Sequence, residues 1–234
     1  MLILALDTAT LVSSVALAGP DRLLAELTLQ TKKTHSERLM PHIEQLLALA
    51  DTDKTAVGAV AVSIGPGSFT GLRIGLATAK ALAYALHIPL VGVPTLAALA
   101  FGCPAPGTFL APTMDAQKGN IYVALYRWQN GGLEEIMAPA VMEHAVAAAE
   151  LRTRAGQALV LGEAVDMYAA AFRAAGHVVA EPHVAMPRAG SVALLGARLL
   201  AAGTSHDAMT LEPYYIRRSE AEELWEKRRS CRSR

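Results

Sequence analysis

Apolar and polar residues alternate between two periods along this chain, and the switches between them mark its elements. Leu2 to Leu6 is a continuous apolar run that ends in Asp7-Thr8-Ala9-Thr10. Ser13 to Leu17 and Leu23 to Leu29 follow as further strands, so the chain opens as an antiparallel meander. From Ser36 to Ala50, Leu39, Ile43, Leu46, Leu47 and Ala50 recur at helical spacing, with Pro41 predicting a kink or a late start. Val57 to Ile64 is a β-branched and alanine-rich strand, and Leu72 to Leu86 is a proline-free helix stopped by Pro89. Leu90 to Val93 reads as a strand and Thr95 to Phe101 as a short helix. Gly102 to Gly107 is then the clearest linker.

Beyond that linker the opening pattern returns in weaker form. Phe109 to Met114 runs into Asp115, a turn follows at Gln117 to Asn120, and Ile121 to Tyr126 is a strand. Strand, acidic turn, strand occurs once in each half, the mark of a duplicated fold. Val141–Glu150, Asp166–Ala175 and Ser191–Ala202 read as helices, with short strands at Leu159–Leu161 and Val178–Val179. The expected architecture is α/β in two lobes: residues 1–103, a smaller lobe at 104–216 whose last helix can pack back on the first, and a charged tail at 217–234.

The stretch Ser63 to Arg73 joins a buried strand to a helix through Gly65-Pro66-Gly67-Ser68. Such a loop converges backbone N–H groups on a helix N-terminus, and Ser68 or Thr70 can cap that helix. It is nevertheless neither a Walker A loop nor a GxGxxG fingerprint, because Gly71 is followed by Leu72-Arg73 and stands one residue too far from Gly67. Two readings remain, an anion site and a structural turn. Asp7 is equally double-valued: it can hold a metal-bound phosphate or satisfy its own turn amides. The helix after the loop shows a small-residue face of Gly71, Gly75, Thr78, Ala79 and Leu82, and another marked by Arg73, Ala77, Lys80 and Tyr84. The small face fits core packing or a subunit contact.

A composition of 53% hydrophobic and 18% charged residues excludes disorder, and a net charge of +0 removes any general attraction to nucleic acid. The seven Lys/Arg and four Asp/Glu of residues 217–234 leave −3 on residues 1–216. That basic tail reads as a solvated terminus, with RNA contact as the alternative. Two cysteines are too few for a disulfide framework or a thiolate zinc site. His35 and His42, two helical turns apart, read as a surface pair rather than a metal site. No GxSxG is present. Asp7 interrupts the first apolar run, and Arg73, Lys80 and His87 interrupt the later one, so neither a signal peptide nor a spanning helix is predicted and a cytoplasmic protein is expected.

Five stretches together carry a family resemblance: Leu4-Ala-Leu-Asp-Thr-Ala-Thr10, His35-Ser-Glu-Arg-Leu-Met-Pro41, Ser63 to Gly75, Met114 to Tyr122 and Pro213-Tyr-Tyr-Ile-Arg217. In that order they resemble the bacterial TsaB (YeaZ) family over almost the whole chain, residues 127–187 contributing little. The resemblance implies an actin/Hsp70-like ATPase fold and a part in making threonylcarbamoyladenosine at position 37 of tRNAs that read codons starting with A. It implies a non-catalytic subunit that binds and activates the transferase TsaD, with TsaE as a third member and tRNA met indirectly; because the same apolar helix surface can pair with itself when TsaD is absent, a homodimer is expected in isolation. The implied partner helices are Ser36–Ala50 and Leu72–Leu86, with Leu39, Met40, Ile43, Gly71, Gly75, Thr78 and Leu82 as contact residues. A vestigial nucleotide site falls on Asp7, Thr8, Thr10, Gly65, Gly67 and Ser68, with ATP or ADP bound weakly or not at all and no other cofactor. TsaD-type enzymes carry two metal-binding histidines four apart after the strand equivalent to Leu90–Val93. This chain has Thr95 and Leu99 there, so neither a metal nor the transferase chemistry is expected. A small kinase or ATPase of the same fold, which needs ATP turnover by this chain alone, and a peptidase, which lacks any visible nucleophile–base pair, are the alternatives.

Overall fold

A computed structural model describes residues 1–30 and 35–217; the charged tail beyond Arg217 and the His35 side chain lie outside the described residues. Strands β1 (Leu2–Asp7), β2 (Val12–Ala18) and β3 (Leu23–Gln30) form the opening meander. Helix α1 (His35–Leu49), β4 (Val57–Gly65), α2 (Phe69–Leu86) and β5 (Leu90–Pro94) complete a five-stranded sheet of order β3-β2-β1-β4-β5. In it β4 runs parallel to both β1 and β5.

After α3 (Thr95–Phe101) the same path is walked again. Strands β6 (Phe109–Asp115), β7 (Asn120–Gln129) and β8 (Gly132–Glu143) form a second meander, followed by α4 (His144–Ala155), β9 (Leu159–Leu161), α5 (Ala164–Ala174) and β10 (Val178–Val179). The second sheet has order β10-β9-β6-β7-β8, so each lobe is a meander plus two parallel strands in the same relative positions. The duplication expected from the paired acidic turns is therefore carried by the whole topology. Helices α6 (Pro182–Ala185) and α7 (Ala189–Ala201) close the series.

The lobes are interlocked by exchange of their final helices. Helix α3 places Leu96, Leu99, Ala100 and Phe101 in a buried cluster with Leu110, Met114 and Trp128 of the second sheet. Helix α7 returns to the first sheet, where Val192 and Ala193 lie on Ile3, Ala5, Ala16 and Ala61. That face of the sheet is rich in alanine, which lets the helix approach closely; a Cβ on Gly196 would stand 2.8 Å from the Ala61 Cβ. On the opposite face Leu4, Leu6, Val15, Val60 and Val62 meet Leu39, Ile43, Leu46 and Leu76 of α1 and α2. A sheet covered on both faces explains why β1 and β4 read as continuous apolar runs rather than alternations.

Three expectations are corrected. Val141–Glu143 is not helical: it pairs with Asn120–Tyr122 as the end of β8, and α4 begins only at His144. Helix α1 runs through Pro41 instead of starting late. His42 is not a surface residue but only 5% exposed, its Nδ1 3.3 Å from Ser13 Oγ, so it anchors α1 to β2.

Candidate functional site

A cleft of about 980 Å³ opens between the lobes, and the two duplicated turns face it. In the first, Asp7 Oδ1 accepts the Ala9 N–H at 2.9 Å and Thr10 Oγ1 accepts the Val12 N–H at 3.0 Å. In the second, Asp115 Oδ1 accepts the Gln117 N–H at 2.9 Å. Each aspartate ends its strand and ties its own turn by the same i to i+2 bond. The β6–β7 turn is completed in the left-handed region by Gln117, Lys118 and Gly119, with φ of 65°, 56° and 82°.

The glycine-rich loop between β4 and α2 is drawn against the first turn. The Ser68 N–H donates to Ala9 O at 2.7 Å, and Thr8 Oγ1 donates to Gly71 O at 2.8 Å. Ser68 caps α2 by accepting the Gly71 N–H at 3.3 Å, so the helix starts at Phe69, three residues before the periodicity begins. The approach leaves no room for side chains. A Cβ on Gly67 would lie 2.5 Å from Ala9 O, one on Gly71 2.0 Å from Thr8 O, and one on Gly75 2.2 Å from Thr8 Oγ1. Several donors that an anion would use are thus engaged within the chain: Ser68 N–H with Ala9, Gly71 N–H with Ser68 and Gly65 N–H with Thr95. Of the sequence-derived nucleotide residues, Thr10, Gly67 and Ser68 line the cleft; Asp7, Thr8 and Gly65 stand behind it.

The cleft is acidic. Glu163, at the start of α5, lies among its lining residues with Asp115 and Asp166. Burial pushes the Glu163 carboxyl up to about 7, the Asp115 N–H at 3.4 Å opposes that rise, and the charges of Asp115, Asp166 and Asp7 add to it. Negative walls of this kind disfavour a polyphosphate. Sequence reading missed Glu163, since nothing local distinguishes it; only the fold brings it to Asp115.

The closing Pro213–Arg217 motif proves to be a clasp across the cleft mouth. The Tyr214 N–H donates to Ile64 O at 2.7 Å, and Tyr215 stacks on Phe69 with ring centroids 5.0 Å apart. Arg73 Nε donates to the Tyr215 hydroxyl at 3.0 Å, and Arg217 donates to Ala116 O of the second lobe at 2.5 Å. One pentapeptide thus touches both lobes.

Thr95 and Leu99, at the positions where the resemblance places metal ligands in the paralogue, do not fit a metal. Thr95 is fully buried, and its Oγ1 accepts the Gly65 N–H at 3.0 Å. Leu99 lies in the apolar cluster under the second sheet. Among the described residues no group of three His, Cys, Asp or Glu side chains is arranged to hold a metal ion. Ser13 and His42 form a serine–histidine contact that spacing does not reveal, but both side chains are buried behind α1, away from the cleft.

The small-residue face of α2 is turned inward, which corrects part of the expected contact set. Gly71 and Gly75 sit on Thr8, and Leu39 and Ile43 belong to the core of their own lobe. Met40 is exposed, while Thr78 and Leu82 are half-buried. The outward surface of the two helices adds Leu49, Ala77, Ala81, Tyr84 and Ala85, all exposed. Ala77 and Tyr84 stand on the second α2 face that the sequence marks out; reading small residues as a contact face pointed to the other.

A family model described as "TsaD: tRNA N6-adenosine threonylcarbamoyltransferase" matches residues 22–225. The "tRNA threonylcarbamoyladenosine biosynthesis protein TsaB" of Bacillus subtilis (strain 168) is 34% identical over 230 residues, covering 96% of this chain and 98% of that protein. The solved structure of YeaZ from Pseudomonas aeruginosa superposes with a TM-score of 0.76 at 27% identity, over 92% of this chain and 99% of that one. A ROK hexokinase from Thermus thermophilus shares the fold alone, with a TM-score of 0.51 at 12% identity over 87% of this chain and 100% of that one.

Proposed function

The chain belongs to the TsaB (YeaZ) family of tRNA threonylcarbamoyladenosine biosynthesis proteins, and on that premise we propose that it is the non-catalytic subunit that binds and activates TsaD. The product is threonylcarbamoyladenosine at position 37 of tRNAs reading codons that start with A. One observation carries the non-catalytic reading: a buried threonine committed to Gly65 and a leucine in an apolar cluster stand at the paralogue's metal-ligand positions. Neither side chain can present a Lewis acid to a threonylcarbamoyl carbonyl. TsaE completes the machinery, tRNA meets this chain through the complex, and the site of action is the cytoplasm.

TsaD docks on the outer surface of α1 and α2. The exposed residues Met40, Leu49, Ala77, Ala81 and Tyr84 supply an apolar surface of low relief, suited to a helix pair from a partner. The same surface pairs two copies of this chain when TsaD is absent. Ala81→Glu places a charge in that contact without touching the core. It is expected to weaken TsaD capture at least tenfold, with the melting temperature unchanged. Undiminished capture would move the interface elsewhere.

ATP and ADP bind weakly or not at all to the isolated chain, as the acidic cleft and the internally satisfied loop favour. The alternative of a small ATPase or kinase draws on the same cleft, and ATP turnover by this chain alone would favour it.

A further inference from the structure

The cleft between the lobes carries more negative charge than its own cations answer. Asp115 and Glu163, half-buried, and Asp166, exposed, line it against one guanidinium, Arg217, with His183 the remaining basic side chain of the lining. Around these carboxylates the walls are apolar and aromatic, with Leu11, Phe69, Met167 and Tyr215 among them. The mouth already receives arginine in two ways. Arg217 donates to Ala116 O of the second-lobe turn at 2.5 Å, and the Arg73 guanidinium lies 3.9 Å from the centroid of the Phe69 ring on which Tyr215 stacks. Carboxylates, a carbonyl oxygen and a ring face are the groups that a planar guanidinium recognises.

From this mouth the chain leads into its own most basic stretch. The described chain ends at Arg217, at the cleft. Residues 218–226 hold four glutamates and one arginine, whereas Lys227-Arg-Arg-Ser-Cys-Arg-Ser-Arg234 holds five cations and no acidic side chain. Lys227 is ten positions beyond Arg217, a reach of up to about 33 Å, so the basic stretch can return to the cleft. We infer that Lys227 to Arg234 dock in the interlobe cleft of their own chain, their guanidinium groups set against Asp115, Glu163 and Asp166. The occupant is chosen by charge complementarity and by tethering at the mouth. A segment held on so short a linker has an effective concentration of about millimolar order, so weak individual ion pairs suffice to keep it seated. The contact is sensitive to salt, because the screening length shrinks from about 30 Å at 0.01 M to about 3 Å at 1 M. The inference does not depend on the proposed partner or product.

Cys231 stands within the basic stretch and takes a nitroxide label in the full chain, with Cys103 replaced by serine. Paramagnetic broadening of backbone amides is then read by nuclear magnetic resonance. The control is the turn at 130–132, at the opposite end of β7 from the turn that Asp115 ties. At about 0.01 M salt the amides of residues 115–117 and 163–167 are expected to lose about half their intensity or more relative to that control, and to recover it at about 1 M. Replacing Lys227, Arg228 and Arg229 together by glutamine leaves the described fold untouched and is expected to remove the broadening, and Asp166→Asn to reduce it. Mixing spin-labelled chain with isotope-enriched chain that carries no label is expected to show none at the cleft. Broadening in that mixture would seat a second copy's tail there and overturn the intramolecular contact. Broadening no stronger at the cleft than at the control turn, or unmoved by both salt and the glutamine variant, would overturn the inference altogether.

Discussion

Gly71 and Gly75 sit one helical turn apart against the same residue, Thr8, yet meet different atoms of it, and that difference is measurable. In Gly71→Ala the new Cβ would lie 2.0 Å from the Thr8 carbonyl oxygen, part of a strand end that cannot rotate away. Ordinary contact requires α2 and the first turn to separate by ~1.4 Å, and overpacking of this kind costs roughly 1–3 kcal/mol. The separation also breaks the bond from Thr8 Oγ1 to Gly71 O, about 1 kcal/mol, which offsets the helix-propensity gain of alanine over glycine. A net loss of about 2–3 kcal/mol is expected. In Gly75→Ala the obstacle is Thr8 Oγ1, at 2.2 Å, an atom that Thr8→Ala deletes. The double variant Gly75→Ala/Thr8→Ala should therefore be less destabilised than the sum of its parts by at least ~1 kcal/mol through relief of the clash, whereas Gly71→Ala/Thr8→Ala keeps its backbone clash and recovers no more than the one hydrogen bond that both substitutions remove, about 1 kcal/mol. Urea unfolding read by circular dichroism supplies the values for both cycles, with Gly132→Ala, whose Cβ would meet nothing within 4 Å, as a neutral control. A Gly71→Ala variant as stable as the parent, or a strictly additive Gly75 cycle, would refute the inward seating of α2.

Thr95→Val keeps the shape of a buried side chain but removes the acceptor for the Gly65 N–H; a loss of about 1–3 kcal/mol and faster amide exchange at Gly65 are expected, and an unchanged exchange rate would contradict that hydrogen bond's role. Titration calorimetry of the isolated chain with ATP is expected to show no saturable binding tighter than about 10 μM; a tighter isotherm would revive the nucleotide reading.

Which parts of this molecule are legible in its sequence follows from how local their causes are. Strands β1 and β4 stand out because a sheet buried on both faces selects unbroken apolar runs. Helix α1 stands out because one stripe meets the core. Strand β8 does not, since Glu134 and Glu135 lie exposed along it and Val141–Glu143 leads straight into helix-forming alanines. There only pairing with β7 decides. The small face of α2 was legible as a pattern but not in direction. Gly71 is small because of Thr8, 63 residues away, and no local period reports such a contact. The acidic cleft has the same character: Asp115 and Glu163 are 48 residues apart and meet through the parallel pairing of β6 with β9. Thr95 and Leu99 were informative only through the resemblance, which sets them against the paralogue's metal-binding histidines; a leucine offers no ligand atom there.

The most direct test of an activating, non-catalytic role is tRNA threonylcarbamoylation reconstituted from purified components, with TsaD and the remaining factors from the same cell. The account predicts modification only when this chain and TsaD are both present, and none when this chain replaces TsaD. Full modification without this chain, or any modification by this chain in place of TsaD, would contradict it.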